Sequence, residues 1–270
     1  MPPAPASRVL AAVPDTIATK EHDTMRIGIL GTGNIGKTLV RRLSAAGHDV
    51  KVANSRGPDT IDRDLLTNGA RAVTAQEAIV DVEAVILSIP LDRLPDAAAM
   101  VSTIPEGTVV IDTSNYYPSR DGQIEVLDQG EVESLWVAKL LGRPIAKAWN
   151  AVGSPSFADK NKPVGDPDRI AIPIAADRDE DRRVTMALVN DTGFDAVDAG
   201  SLSESWRQRP GSPVYCTDLT RNEVQEALAA AEKDRLPKRR DLIVSVITER
   251  FGKTYPDGDT LVRLNRALFM

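Results

Sequence analysis

The stretch MRIGILGTGNIGKTLVRRLSAAGHDVKVANSRGPD, residues 25–59, decides the fold. Its apolar run RIGIL stops at Gly31-Thr32-Gly33-Asn34-Ile35-Gly36. A helical pattern begins at once, with Ile35, Leu39, Val40 and Leu43 on one face and Gly47 at its end. A second extended run, DVKVANS, follows. A glycine-rich turn that leaves a strand, opens a helix and leads to a second strand ending about 20 residues on is the full setting of a dinucleotide site. The glycines divide the work: Gly31 is expected to make the tight turn, Gly33 to let backbone approach a diphosphate, and Gly36 to let the helix lie close to the sheet. The amides of Asn34 and Ile35 then face the diphosphate from the positive end of the helix.

The end of the second strand selects the dinucleotide. A carboxylate there accepts from the ribose 2′-hydroxyl of NAD, whereas this chain places Ala53-Asn54-Ser55-Arg56-Gly57 at that point. An acid would repel a 2′-phosphate. Ser55 offers a hydrogen bond and Arg56 a planar fork of donors, both suited to a phosphate dianion. The expected cofactor is therefore NADP(H).

Outward from this unit, extended and helical patterns alternate. ARAVT, EAVILSIP and TVVIDTSN read as strands three to five. Between them stand a short helix over DTIDRDLLTNG, a Thr74–Glu77 capping box opening the next helix, and a helix over LDRLPDAAAMVSTI. Such alternation specifies an α/β architecture, a doubly wound, mostly parallel Rossmann-like sheet with helices on both faces. A polar loop, YYPSRDGQIEVLDQG, precedes a helix over EVESLWVAKLLG with Val132, Leu135, Trp136 and Leu140 inward. PIAKAWNAV, DRIAIPIAAD and GFDAVDAGS are further strands, with a charged helix over residues 179–190 between the last two. Beyond about residue 202 strands stop: Thr220 and Glu223 form another capping box, Pro237 separates two helices, and YPDGD turns the chain into a final one. The expected division is a flexible extension over 1–24, with Met25 a candidate original start, a nucleotide-binding domain over 25–201, and a helical segment over 202–270 that caps the site or joins two copies.

Ligands in such sheets lie across the carboxyl ends of the strands. That makes Ser88-Ile89-Pro90, Thr113-Ser114-Asn115 and Trp149-Asn150-Ala151 the candidates for the nicotinamide side. Of the two histidines, His22 lies in the extension, and His48 sits in a turn where its ring is expected to bond locally. The usual imidazole acid of carbonyl-reducing dehydrogenases is thus missing. Hydride exchange with a flavin-like ring needs orientation and stacking more than a dedicated proton donor, and it fits this inventory. Trp149 is expected to stack on a ring there or to fill the core, and Lys147 to polarise a carbonyl or to snorkel. Tyr116, Tyr117, Arg120 and Asp121 are candidates for a small substrate; Trp206, Arg207 and Tyr215 are candidates for lining the cap. Lys238-Arg239-Arg240 reads as a solvated face, and Cys216 as a small buried apolar residue.

Taken in order, RIGILGTGNIGKTLVRRLSAAGHDVKVANSR, AVILSIP, VVIDTSN, PIAKAWNAV and DAGSLSES resemble the family of coenzyme F-420 (deazaflavin)-dependent NADP oxidoreductases, from Met25 to about Ser203. The same domain is similar to the cytosolic part of six-transmembrane metalloreductases. The resemblance implies NADP(H) held by Thr32, Gly33, Asn34, Ile35, Ser55 and Arg56, with Ser88 to Pro90 and the end of strand six near the nicotinamide. It also implies a second redox ring, coenzyme F-420 or a flavin, stacked there as co-substrate, and a homodimer. In the family the DAG strand leads into a largely apolar closing helix, whereas here SLSESWRQRPGSPVYCTDLTRNE is polar, proline-broken and followed by a longer helical tail. Two other functions stay open. One is an NADPH-dependent reductase of a small carbonyl or imine, which needs a proton source such as Tyr116, Tyr117, Lys147 or Tyr215. The other is a nonenzymatic NADP-binding regulatory protein.

Bulk composition narrows the partners. A net charge of −6 over 270 residues supplies no basic face for nucleic acid. No apolar stretch approaches the roughly 20 residues a bilayer span needs, and the run near the start is too short for a secretion signal. A single cysteine makes no internal disulfide, and no Cys/His cluster has zinc spacing. A cytoplasmic, metal-free protein with a small-molecule redox acceptor is expected.

Overall fold

The computed structural model describes residues 24–252 and 254–270. The expected extension over 1–24, His22 included, lies outside the described residues but for Thr24. β1 (Arg26–Leu30), α1 (Asn34–Ala45) and β2 (Asp49–Ala53) form the unit read from residues 25–59. β3 (Arg71–Ala72), α2 (Ala75–Ala78), β4 (Ala84–Leu87), α3 (Leu94–Val101) and β5 (Val109–Asp112) continue the alternation. Between β2 and β3 the chain makes two 3₁₀ turns, Pro58–Thr60 and Arg63–Leu66, in place of the expected single helix. The Asp and Thr side chains there compete for backbone groups that a helix would need. α4 (Pro118–Asp121) and α5 (Glu125–Asp128) occupy the stretch expected as a polar loop. Then come α6 (Glu133–Leu141), β6 (Ala146–Lys147), α7 (Ser154–Asp159), β7 (Ala171–Ala176), α8 (Asp179–Asp191) and β8 (Asp195–Asp198). A 3₁₀ stretch, Leu202–Gln208, leads on to α9 (Arg221–Ala229), α10 (Leu236–Phe251) with Pro237 in its first turn, and α11 (Gly258–Phe269).

The strands make one sheet in the order β3-β2-β1-β4-β5-β6-β7-β8. It is parallel from β3 to β6; β7 then runs antiparallel to β6, with Lys147 opposite Ala175, and β8 runs parallel to β7. The chain's progress along the sheet reverses between β1 and β4, which opens a crevice at the carboxyl ends of those two strands. Apolar side chains leave both faces of the central strands. Ile27, Ile29, Ile86 and Ile111 join a core with Leu39 and Leu43 of α1 and Leu188 of α8. Leu30, Val85, Leu87 and Val110 join another with Leu94 and Val101 of α3 and Val137 and Leu141 of α6. Cover on both faces is why these strands read as unbroken apolar runs rather than alternating ones.

One helix face differs from the sequence reading. In α6 the buried positions are Glu133, Ser134, Val137 and Leu141; Trp136 and Leu140 are half-buried and Leu135 is exposed. Two polar partners set this phase: Tyr116 N donates to Glu133 Oε2 at 3.2 Å, and Ser205 Oγ donates to Ser134 Oγ at 2.9 Å. Drawing Glu133 and Ser134 inward rotates Leu135 out. The two capping boxes form as expected, Thr74 with Glu77 and Thr220 with Glu223. Among the described residues no helix is long and apolar enough to cross a membrane, and no group of three or more His, Cys, Asp or Glu could hold a metal ion.

Candidate active site

The turn after β1 is built around its glycines. Gly31 has φ +111°, and a Cβ there would lie 2.1 Å from the Ser88 carbonyl oxygen, so the turn wedges against the end of β4 only as glycine. A Cβ on Gly36 would lie 2.1 Å from the Gly31 carbonyl oxygen, so α1 closes on the turn for the same reason. Gly33 is different. It is exposed, its φ of −70° suits any residue, and a Cβ on it would meet no atom of the described residues within 4 Å. The chain's own packing makes no demand for glycine at this position, and the open space over it fits a diphosphate lying against backbone. No side chain caps α1 and no acid stands in its first turn, which leaves the amides of Asn34 and Ile35 to an anion.

Asn54, at the end of β2, ties this turn to the next loop. Its Oδ1 accepts from Arg56 N at 2.9 Å, while Nδ2 donates to Thr60 Oγ1 at 3.0 Å and to Thr32 Oγ1 at 3.4 Å. Ser55 and Arg56 beside it are exposed. Across the groove Lys37 donates to Asp62 at 2.6 Å, and that bond, with the charge behind it, holds the Asp62 carboxyl below the usual carboxylate range.

From Gly33, Asn34 and Ile35 a cavity of about 490 Å³ runs past Ser88, Ile89, Pro90 and Asn115 to a far wall of Ile243, Val244, Ile247, Thr248, Leu261 and Asn265, brought by α10 and α11. Side-chain amides fix its floor: Asn115 Nδ2 donates to Asn150 O at 2.8 Å, Asn150 Nδ2 to Asn115 Oδ1 at 3.1 Å and Gln208 O at 2.9 Å, and Gln208 Nε2 to Asn150 Oδ1 at 2.8 Å. These bonds hold Asn115 and Asn150 each in one rotamer, while Gln208 Oε1 stays buried with no partner among the described residues. Above the floor the hydroxyls of Tyr117 and Tyr215 stand 2.7 Å apart. Burial pushes both phenols above the ordinary tyrosine range. Arg120 lies over the Tyr117 ring with 5.3 Å to its centroid, held by the Asp121 carboxylate and by Asn115 O at 2.6 Å. Burial also pushes the Cys216 thiol up, so the sulfur that borders the cavity is a poor nucleophile. Among the described residues, neither a carboxylate nor an imidazole lines this space.

The turn, the strand order and the cavity place this chain among known proteins. Residues 26–116 match the family described as NADP oxidoreductase, coenzyme F-420-dependent. Over 115 residues, 42% of this chain and 82% of the relative, the sequence is 45% identical to the protein YjhV of Escherichia coli strain K12. The chain belongs to the coenzyme F-420-dependent NADP oxidoreductase family. Among solved structures, the SMa0349 protein of Sinorhizobium meliloti is 27% identical and superposes with a TM-score of 0.58 over 71% of this chain and 92% of that one. A protein of an Arthrobacter species, assigned as an F-420-dependent NADP reductase, has a TM-score of 0.54 at 16% identity over 67% of this chain and 87% of its own. The 3-hydroxyisobutyrate dehydrogenase of Mycobacterium tuberculosis has a TM-score of 0.50 at 19% identity, over 86% and 72%. These last two speak for the fold alone.

Within this oxidoreductase the expected site residues separate into groups. Gly33, Asn34, Ile35, Ser88, Ile89, Pro90, Asn115 and Asn150 line the cavity; Thr32, Ser55 and Arg56 lie on the loops beside its phosphate end. Ala151 is buried behind it, its carbonyl accepting from Cys216 N at 2.7 Å. Tyr116 is corrected from substrate pocket to core: its hydroxyl donates toward Asp128 Oδ1 at 3.0 Å and Gly122 O at 3.2 Å and accepts from Ile124 N at 2.9 Å, which pins the loop after β5. Trp206 is likewise outside the cavity, with the Arg207 guanidinium 4.3 Å and the Lys233 ammonium 6.0 Å from its ring centroid. Trp149 borders the cavity and is fully buried in the core, its Nε1 turned to Thr192 Oγ1 at 3.4 Å.

Lys147 neither snorkels nor lines the cavity, because it is sealed in an ion pair with Asp112 at 2.6 Å and donates to the Ser114 backbone carbonyl. His48 lies away from the cavity as expected, but its bonds are long-range rather than local: it accepts from Met25 N at 3.1 Å and faces Asp191 at 3.1 Å. The Lys238-Arg239-Arg240 run is only in part a solvated face, since Arg240 is buried over the Tyr116 ring. The wall from α10 and α11 is the capping alternative expected of the segment over 202–270, but neither its contact residues nor Gln208 stood among the expected site residues. The one signal for that wall was the apolar run Leu242-Ile243-Val244 inside a charged helix.

Proposed function

We propose that the protein is an NADP(H)-dependent oxidoreductase that moves hydride between the nicotinamide and a flavin- or deazaflavin-type ring seated against the α10–α11 wall. The observation that carries this is the continuity of one cavity from the open space at Gly33 to Tyr117 and Tyr215. Its volume lies in the range of small-molecule sites, about 300–1,000 Å³. When bound, NADPH supplies the hydride. The chain's part is to hold the diphosphate on the α1 amides, to offer Ser55 and Arg56 to the 2′-phosphate, and to exclude water behind Ile243, Ile247 and Leu261. A homodimer, whose test is sedimentation, belongs to the same reading. The Tyr117–Tyr215 pair favours a second one, reduction of a small carbonyl or imine.

Stopped-flow oxidation of NADPH against a deazaflavin, a flavin and a carbonyl panel separates the two. Rapid turnover with a ring acceptor supports the first and turnover with carbonyls alone the second. Tight NADPH binding with no turnover on any acceptor supports a regulatory protein.

A further inference from the structure

The proton that must accompany a hydride has few possible sources in this cavity. The groups that sequence reasoning offered for it are Tyr116, Tyr117, Lys147 and Tyr215. Tyr116 is locked to its own loop, and Lys147 donates to Asp112 and Ser114 O beneath the floor. Tyr117 and Tyr215 remain, nearly 100 residues apart in the chain, with their hydroxyls in contact inside the space that Asn115 and Ser88 share. A phenol pair has two O–H groups and needs only one to hold itself together, so the other points to whatever fills the cavity. Asn115 Nδ2 reaches the Tyr215 oxygen at 3.5 Å while its own amide is fixed by Asn150. The charged and titratable groups packed around the pair are Arg120 with its partner Asp121, Cys216 and Tyr255.

We infer that Tyr117 and Tyr215 act as one proton-donating couple for the hydride acceptor. The inference rests on the oxidoreductase reading above and narrows the acceptor's chemical class to molecules that take hydride at an electrophilic atom conjugated to a basic nitrogen or oxygen. The balance is one hydride and one proton. Two electrons and a hydrogen leave the dihydronicotinamide, which is oxidised, and bond to the acceptor, whose π electrons move to its heteroatom. That heteroatom bonds to the phenol hydrogen as the O–H bond breaks. The phenolate left behind accepts the hydrogen bond of the other phenol and lies near the Arg120 guanidinium, which lowers the cost of forming it in a desolvated place. Water at the cavity mouth, where Tyr255 is exposed, returns the proton.

The test uses the full chain with NADPH and, as acceptors, a deazaflavin, a flavin and a carbonyl panel. Y117F and Y215F are expected to bind NADPH as the wild type does, by fluorescence titration, and to bind the deazaflavin up to about tenfold more weakly for the lost hydrogen bond. Turnover is expected to fall about 100-fold. Wild-type rate is expected to be flat between about pH 6 and 9, whereas both variants slow as pH rises, because the proton then comes from solvent. A phenol that merely supports the wall would not introduce that slope. Variants with wild-type rates and flat profiles overturn the couple and leave the oxidoreductase reading standing. A wild type that oxidises NADPH with none of the three acceptor classes overturns both.

Discussion

At the scale of single residues, Arg56 and Lys147 mark opposite uses of positive charge. Arg56 is exposed at the end of β2 with its backbone held by Asn54, so its guanidinium is free to meet a phosphate without bending the loop. Arg56→Ala is expected to weaken NADPH binding about tenfold, the value of a charge-assisted phosphate contact, and to leave NADH affinity unchanged. Calorimetric titration with the two nucleotides reads the difference, and equal losses would remove Arg56 from the 2′-phosphate. Lys147 is 2% exposed and paired to a fully buried Asp112. Lys147→Met is expected to cost about 3–5 kcal/mol in urea denaturation by stranding the carboxylate, with Asp112→Leu added to it recovering part of the loss. The exposed position of Arg56 after β2 was legible in the sequence because it follows from a local motif. Lys147 and Tyr116 were not, because the partners that seal them, Asp112 and Asp128, are set by strand pairing and loop closure rather than by spacing.

At the scale of elements, the first turn and α1 make a falsifiable pair of glycine predictions. Gly36→Ala drives a methyl onto the Gly31 carbonyl and is expected to lower the melting temperature and nucleotide affinity together. Gly33→Ala meets nothing among the described residues, so it is expected to leave the melting temperature unchanged and to weaken NADPH binding by crowding the diphosphate. A Gly33→Ala protein with unaltered affinity would place the nucleotide elsewhere. All eight strands and both capping boxes were readable in advance, since buried parallel strands and helix starts carry dense local signals. The phase of α6 was not. Apolar periodicity pointed to Leu135, but Tyr116 and Ser205 bring Glu133 and Ser134 inside, and no pattern of apolar residues records a buried polar contact.

At the scale of the whole molecule, the helices beyond β8 close the site against the strands that open it, and Glu133 sits at that junction, 3.9 Å from Arg209. Burial raises its carboxyl above the ordinary value of 4.5, with Arg209 and Lys147 offsetting part of the shift. A raised folded value means that its contribution to stability is complete below 4.5 and is lost as pH rises through the folded value. Glu133→Gln keeps the shape without the titration, so its stability relative to wild type is expected to improve with rising pH in denaturant melts. An advantage that shrinks with pH would mean that Arg209 outweighs burial. A cap from residues 202–270 was one of two expected roles, but the residues that form it were not legible for a related reason: Leu261 and Asn265 reach the cavity only after β7 reverses the sheet and the chain from β8 returns to it. This late return also sets an order of assembly on the ribosome. At about 10 residues per second the nucleotide turn is translated some twenty seconds before its far wall, so over that interval the nascent turn has no helical cover from the residues that later face it.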